Sequence, residues 1–192
     1  MGADTITGGA GQDTIDLTEA VQSIDTIKYA ESGAANVDTV TGFKVGTDVV
    51  SFTIGTFATN SDTLSTGDGT DISAAVATGA AVFTAVALDA TVVNVATAHV
   101  LKLSDITQTS FATAIGTGSF GITTANFTTA TEGLAAVFFD SLNGQAVFGY
   151  VLNSSETVAN VINAADTFVE VTRVGMSSTD YALLDNTSFS MF

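Results

Sequence analysis

Aspartates and glycines near the amino end have the spacing of ligands for a hard metal ion. The nonapeptide GGAGQDTID occupies residues 8–16, and GADTIT at 2–7 repeats its second half one period earlier. Gly2 and Gly11, Asp4 and Asp13, Thr5 and Thr14, and Ile6 and Ile15 are each nine residues apart. Glycine tolerates a backbone with positive φ, so a tight turn can aim its carbonyls inward. Each aspartate adds a carboxylate, and carbonyl plus carboxylate oxygens are the donor set that Ca2+ prefers. The element that positions them is a turn followed by a short strand, repeated. Ile6 and Ile15 follow their aspartates by two residues and stack as a thin core. Stacked turns share ions, so a turn without its neighbour lacks half its ligands. Met1 falls in the middle of a repeat, and the expectation is a piece of a longer protein with more repeats upstream. The competing reading is a chance glycine-rich hairpin, against which stand two copies in phase with the same Asp-Thr-Ile.

The pattern decays downstream. Asp25-Thr26-Ile27 and Asp38-Thr39-Val40 keep the Asp-Thr-aliphatic core without the preceding glycines. They are read as strand starts that continue the stack without ions. A third echo is GDGTDI at 67–72. Gly67, Gly69 and Asp71 keep the glycine, glycine, aspartate spacing, but Ile72 comes one place early. A polar turn accounts for it better than a second calcium loop.

Composition bounds the partners. The chain has 192 residues, enough for one large domain or two small ones, and for a real hydrophobic core. Its net charge is −16 with only 4 Lys+Arg, which disfavours nucleic acid and anionic membranes and makes divalent cations the natural counter-ions. Hydrophobic residues make up 46 % and charged residues 12 %, which argues against a disordered acidic tail. Proline is absent while Thr, Ala, Val and Gly abound, a bias toward strands and turns. There is no cysteine, so disulfides and thiolate metal sites are excluded. The start lacks the basic and apolar stretches of a signal peptide, and no apolar run is long enough to span a bilayer.

Along the chain, residues 1–30 read as repeat, and 37–57 as two strands around Lys44-Val45-Gly46-Thr47. Residues 58–71 read as a loop, and 72–88 as a helix by alanine content, weakened by Gly79. Residues 91–103 alternate as strands, and 104–131 read as loops with short elements. LAAVFFDSLNGQAVFGYVLN reads as a hairpin of 134–140 and 145–152 around Asn143-Gly144. Residues 155–165 suggest one or two amphipathic helical turns, and Phe168 to Val174 a last strand.

No catalytic constellation is visible. His99 lies in an alternating apolar stretch, where a strand histidine with a hydrogen-bonded neighbour is the simpler reading than a base. GTGSFG at 116–121 is no nucleophile elbow, because Thr117 stands where the first glycine belongs. It matches G-x-G-x-x-G, but no βαβ unit with a downstream acid supports a dinucleotide site. Asp68 and Asp71 are simpler as a solvated or ion-bound turn than as an acid–base pair.

Residues 1–16 match the G-G-x-G-x-D-x-U-x repeat, and the chain resembles the C-terminal region of RTX proteins, which carry hemolysin-type calcium-binding repeats and leave Gram-negative bacteria by type I secretion. DTVTGFKVGTDVVSF at 38–52, NAADTFVEVTRVG at 163–175 and the ending at 181–192 are similar to the segments that follow such repeats, while about 53–133 carries no resemblance. The abundant Thr, Ala and Gly with scarce Lys is also similar to bacterial surface-layer proteins and adhesins. The resemblance implies a mostly β fold in which a short parallel β-roll continues into a β-rich, sandwich-like domain with minor helix. It implies calcium ligands from the carbonyls of Gly2, Gly9 and Gly11 and the carboxylates of Asp4 and Asp13, with Gly8 shaping the turn. The expected division is 1–57 for roll and following strands and 58–192 for a domain ending in a segment like a secretion signal. The expected function is a non-catalytic, secreted, extracellular calcium-binding module at the cell surface that folds on meeting calcium after export. Its partners would be calcium ions, the type I secretion apparatus acting on the parent, and a copy of itself or a cell-surface partner. The alternatives are a self-assembling surface-layer or adhesin subunit with calcium-bridged contacts, and the non-catalytic tail of a secreted protease or lipase.

Overall fold

The structure, a computed structural model, describes residues 2–55, 57, 63–64, 66, 72, 74–88, 97–116, 119–121, 132–152 and 161–192. Each Asp-Thr-aliphatic or Asp-Val-Val triplet begins at a strand: β1 (Thr5–Thr7), β2 (Thr14–Asp16), β3 (Thr26–Tyr29), β4 (Asp38–Thr41) and β5 (Val49–Phe52). Successive strands alternate between two sheets. β1 pairs with β3 and β3 with β5, while β2 pairs with β4, all in parallel. One nonapeptide is therefore half a coil. The inward positions are the aliphatic ones, with Ile15, Ile27, Val40 and Val50 buried and Ile6 half-buried at the first turn.

The chain continues through β6 (Thr63–Leu64), β7 (Phe83–Val86), β8 (Val100–Leu103), α1 (Phe111–Ile115), β9 (Ser119–Gly121), β10 (Glu132–Asp140), β11 (Gln145–Leu152), β12 (Val161–Asn163), β13 (Thr167–Gly175), α2 (Ser178–Leu183) and β14 (Phe189–Met191). The first sheet runs β1-β3-β5-β14; the second runs β2-β4-β13-β11-β10-β8-β7, with β6 also on β10, and β9 pairs with β12. The protein is mostly β, with parallel and mixed sheets. Strands from both sides of residue 57 lie in both larger sheets, since β5 pairs with β14 and β4 with β13. Among the described residues no helix is long and apolar enough to cross a membrane.

Strand β10 is buried on both faces, which explains its unbroken apolar run. Ala135, Val137 and Phe139 face the core shared with the first sheet; Leu134, Ala136 and Phe138 face a second core with Phe111, Ala114 and Ile115 of α1. The hairpin turn is as expected: Gly144 has φ +63, its N–H donates to Asp140 O at 2.9 Å, and Asn143 Nδ2 donates to Asp140 Oδ2 at 2.7 Å.

Two expectations fail. The described part of 72–88 holds no helix: Gly79 turns the chain at φ +83, and Phe83-Thr84-Ala85-Val86 pairs with β8. Cross-strand pairing of Phe and Val outweighs the helix preference of the alanines. Of 155–165, residues 161–163 form β12 rather than a helical turn, with Ile162 buried in the second core, and 155–160 lie outside the described residues. Residues 91–96, expected as strand, also lie outside them.

The register between β11 and β13 shifts between Phe148 and Gly149, where Val171 is the extra residue of a bulge. A Cβ on Gly149 would overlap the Val169 carbonyl oxygen. Gly149→Ala is expected to destabilise the fold by about 3 kcal/mol, read as a lower urea midpoint at an unchanged slope.

Candidate metal centre

The aspartates preceding the strands form two ladders. Parallel register places Asp4 beside Asp25 and Asp25 beside Asp48 on one side of the coil, and Asp13 beside Asp38 on the other. In each rung the backbone N–H of one aspartate donates to the carboxylate of the next coil's aspartate. The distances are 2.9 Å for Asp4 to Asp25, 3.1 Å for Asp25 to Asp48 and 2.9 Å for Asp13 to Asp38. In return, Thr26 N–H donates to Asp4 O, Val49 N–H to Asp25 O and Thr39 N–H to Asp13 O. The first ladder closes at Asp48, whose second oxygen accepts the Lys44 N–H at 2.7 Å.

This stacking concentrates negative charge. Asp25, Asp38 and Asp48 are buried, and among the described residues no cationic side chain lies within ion-pair distance of any ladder carboxylate. Burial pushes the Asp38 carboxyl above the usual range, and the charges of Asp13 and Glu31 add to the rise against the Asp13 N–H bond. Burial likewise raises Asp48, helped by the charges of Asp25 and Glu19 and opposed by the N–H bonds from Lys44 and Asp25.

Two places gather carboxylate oxygens. Asp4, Glu19 and Asp25 each offer an oxygen within 4.8 Å of the others. Glu19 is positioned by Ser23, whose N–H and Oγ donate to its Oε2 at 2.8 and 2.5 Å, and the hydroxyl bond chiefly holds its carboxyl below the usual range. On the other side, Asp13 and Asp38 face each other across Gly8. A Cβ on Gly8 would overlap Asp38 Oδ2 and lie 3.1 Å from Asp13 Oδ2. Asp13 Oδ2 is buried and accepts no hydrogen bond. A buried carboxylate oxygen left without a donor is costly, and a cation at that oxygen would remove the cost.

The sequence-derived ligands divide between these places. Asp4 belongs to the first and Asp13 to the second. Gly9 and Gly11 adopt the expected positive φ of +86 and +117 in the turn leading to Asp13. The Gly2 carbonyl accepts from Ser23 Oγ at 3.2 Å. Gly67, Gly69 and Asp71 lie outside the described residues. Asp25 and Asp38, read as ion-free strand starts, bring their carboxylates against Asp4 and Asp13. Glu19 carried no pattern in the sequence. His99 Nδ1 accepts the Val82 N–H at 3.0 Å, a partnered strand-end histidine.

The raised carboxyls make stability pH-dependent. Folded Asp38 and Asp48 hold a proton more tightly than in the unfolded chain, so stability rises as pH falls through their raised values toward the ordinary one. In EDTA, melting temperature is expected to increase as pH falls from neutral toward the ordinary carboxylate range, and in calcium that gain is expected to vanish as protons displace the ion. Melting curves across that window in both buffers check the sign. No protein-family model, curated protein or solved structure matches the chain.

Proposed function

We propose that the chain is a non-catalytic, extracellular calcium-binding module whose folding is completed by the ion. The observation that carries this reading is the buried, unpartnered Asp13 Oδ2 facing Asp38 across Gly8. The donor chemistry fits calcium: hard oxygens only, two facing carboxylates, glycine turns, and no thiolate or imidazole. On this reading the alternating parallel strands are a short calcium β-roll that runs into the rest of the β-rich fold. Asp13 and Asp38 would hold one ion, and Asp4, Glu19 and Asp25 are candidates for a second. When bound, calcium supplies charge neutralisation and folding free energy.

Export before folding fits the same picture. The final residues, which the resemblance to type I-secreted proteins assigns to an export address, form β14 on β5, with Phe189 and Met191 buried. An exporter that reads this segment would need the chain unfolded, and weak affinity of about 10⁻⁴ to 10⁻³ M, the range of extracellular calcium modules, keeps it so where calcium is scarce. The test is calorimetric titration of calcium into EDTA-treated protein. Saturable binding is expected, with the Asp13–Asp38 component lost in Gly8→Ala, whose methyl group fills that gap while both carboxylates remain. Gly8→Ala binding calcium as well as the parent sequence would remove the Asp13–Asp38 site from the account.

Self-assembly is the second reading. β1 and β2 are the outermost strands of the two sheets at the first turn of the coil, and Val21 and Ile24 between β2 and β3 are 74 % and 58 % exposed. An open edge with exposed apolar side chains favours association. Light scattering with and without calcium tests it, and a monomer in both conditions argues against calcium-bridged assembly.

A further inference from the structure

A polar cavity on the outer face of the second sheet borders the Asp13–Asp38 site, because Asp13 is among the residues that line it. Its volume is about 520 Å³, within the range of small-molecule sites. Its floor is a row across three strands, Thr14 on β2, Thr39 on β4 and Arg173 on β13, in register with one another. Its wall is the loop carrying Ala34 and Val37, with Gln12 beside it.

Both parts are fixed in advance. Gly33 N–H donates to Glu170 O at 3.1 Å, Gly11 N–H donates to Asn36 Oδ1 at 3.0 Å, and Gln12 Nε2 donates to Ala34 O at 2.8 Å. Arg173, the chain's one arginine, is clamped by Glu170 at 2.7 Å and lies 3.7 Å from Asp140. The polar lining is a mixture of donors and acceptors: two threonine hydroxyls, the Gln12 amide, the Asp13 carboxylate, and an arginine paired with the Glu170 carboxylate.

We propose that this cavity binds a neutral, polyhydroxylated ligand of the saccharide class. Hydroxyl groups both donate and accept, so they match a surface where both functions stand side by side. The floor spans two strand intervals, about 10 Å at about 4.8 Å each, the reach of a disaccharide. The net charge of −16 repels an anionic ligand. Ala34 and Val37 give the apolar faces of a sugar ring a surface to rest on.

The test is NMR titration of 15N-labelled protein with cellobiose, maltose and mannobiose, in EDTA and again in calcium. Concentrations would reach about 50 mM, above the millimolar Kd expected of an open polar cavity. At least one disaccharide is expected to give saturable shifts at the Gln12 side-chain amide, the Thr39 amide and Arg173 Nε–H. Affinity is expected to fall about tenfold in Thr39→Val, which keeps the side-chain shape, and in Gln12→Ala. Spectra that retain the parent dispersion establish that each variant is folded. No saturable shift at these groups with any of the three sugars, or unchanged affinity in both variants, overturns the proposal.

Discussion

Calcium at about 10 mM is expected to raise the melting temperature by about 3–10 °C, and EDTA to reverse the change. The magnitude follows from linkage: with a Kd of about 10⁻⁴ to 10⁻³ M, that concentration is a ten- to hundredfold excess and stabilises the fold by about 1.4–2.7 kcal/mol, and each kcal/mol moves the melting temperature of a chain this size by about 2–4 °C. The source of the free energy is local. Asp13 Oδ2 is buried without a donor, Asp38 is 1 % exposed beside it, and the first ladder stacks Asp4, Asp25 and Asp48 without a cationic side chain among the described residues. Neutralising these charges relieves repulsion that the apo fold carries. Magnesium at equal concentration is expected to do less, because it demands a smaller octahedral shell and gives up its water reluctantly. Calcium that leaves the melting curve unchanged would reduce the ladders to backbone hydrogen-bond rungs.

Phe189→Ala is expected to cost about 3–5 kcal/mol, the largest single-residue effect proposed for this chain. Phe189 sits on the last strand, yet it is fully buried. Its ring meets Phe52 edge-on at 5.2 Å and Phe83 at 6.0 Å between centroids. The strand is held further by Phe192 N–H donating to Phe52 O and Ile54 N–H donating to Phe192 O. Removing the ring leaves a cavity that the paired backbones on either side prevent from collapsing. Leu183→Ala is the control: at 64 % exposed it is expected to change stability by no more than about 0.5 kcal/mol. Equal effects of the two substitutions in urea unfolding would show that the last strand lies outside the cooperative core.

Much of the strand pattern was legible because local chemistry dictates it. The Asp-Thr-aliphatic triplets mark β1 to β4, and Asn143-Gly144 marks the hairpin that joins β10 to β11. The ladders were less legible. Their rungs join residues 21, 25 and 23 apart, so the nine-residue period is not the period of the coil. Parallel neighbours are set by the lengths of the intervening loops, and those lengths are irregular here. The carboxylate pairs Asp4–Asp25 and Asp13–Asp38 therefore emerge only once the register is known. Glu19 was invisible for a related reason: its place depends on Ser23 and on the bend of its loop. The alanine-rich 72–88 stretch misled because helix propensity is weak beside the partner that β8 offers to β7.

A crystal structure determined in millimolar calcium would address the ion most directly. The account predicts an ion at Asp13 Oδ2, shared with Asp38, at the 2.3–2.6 Å expected of calcium–oxygen bonds, that is, at about 2.4 Å. A water molecule or bare protein donor filling that place, with no ion beside either aspartate, would contradict it.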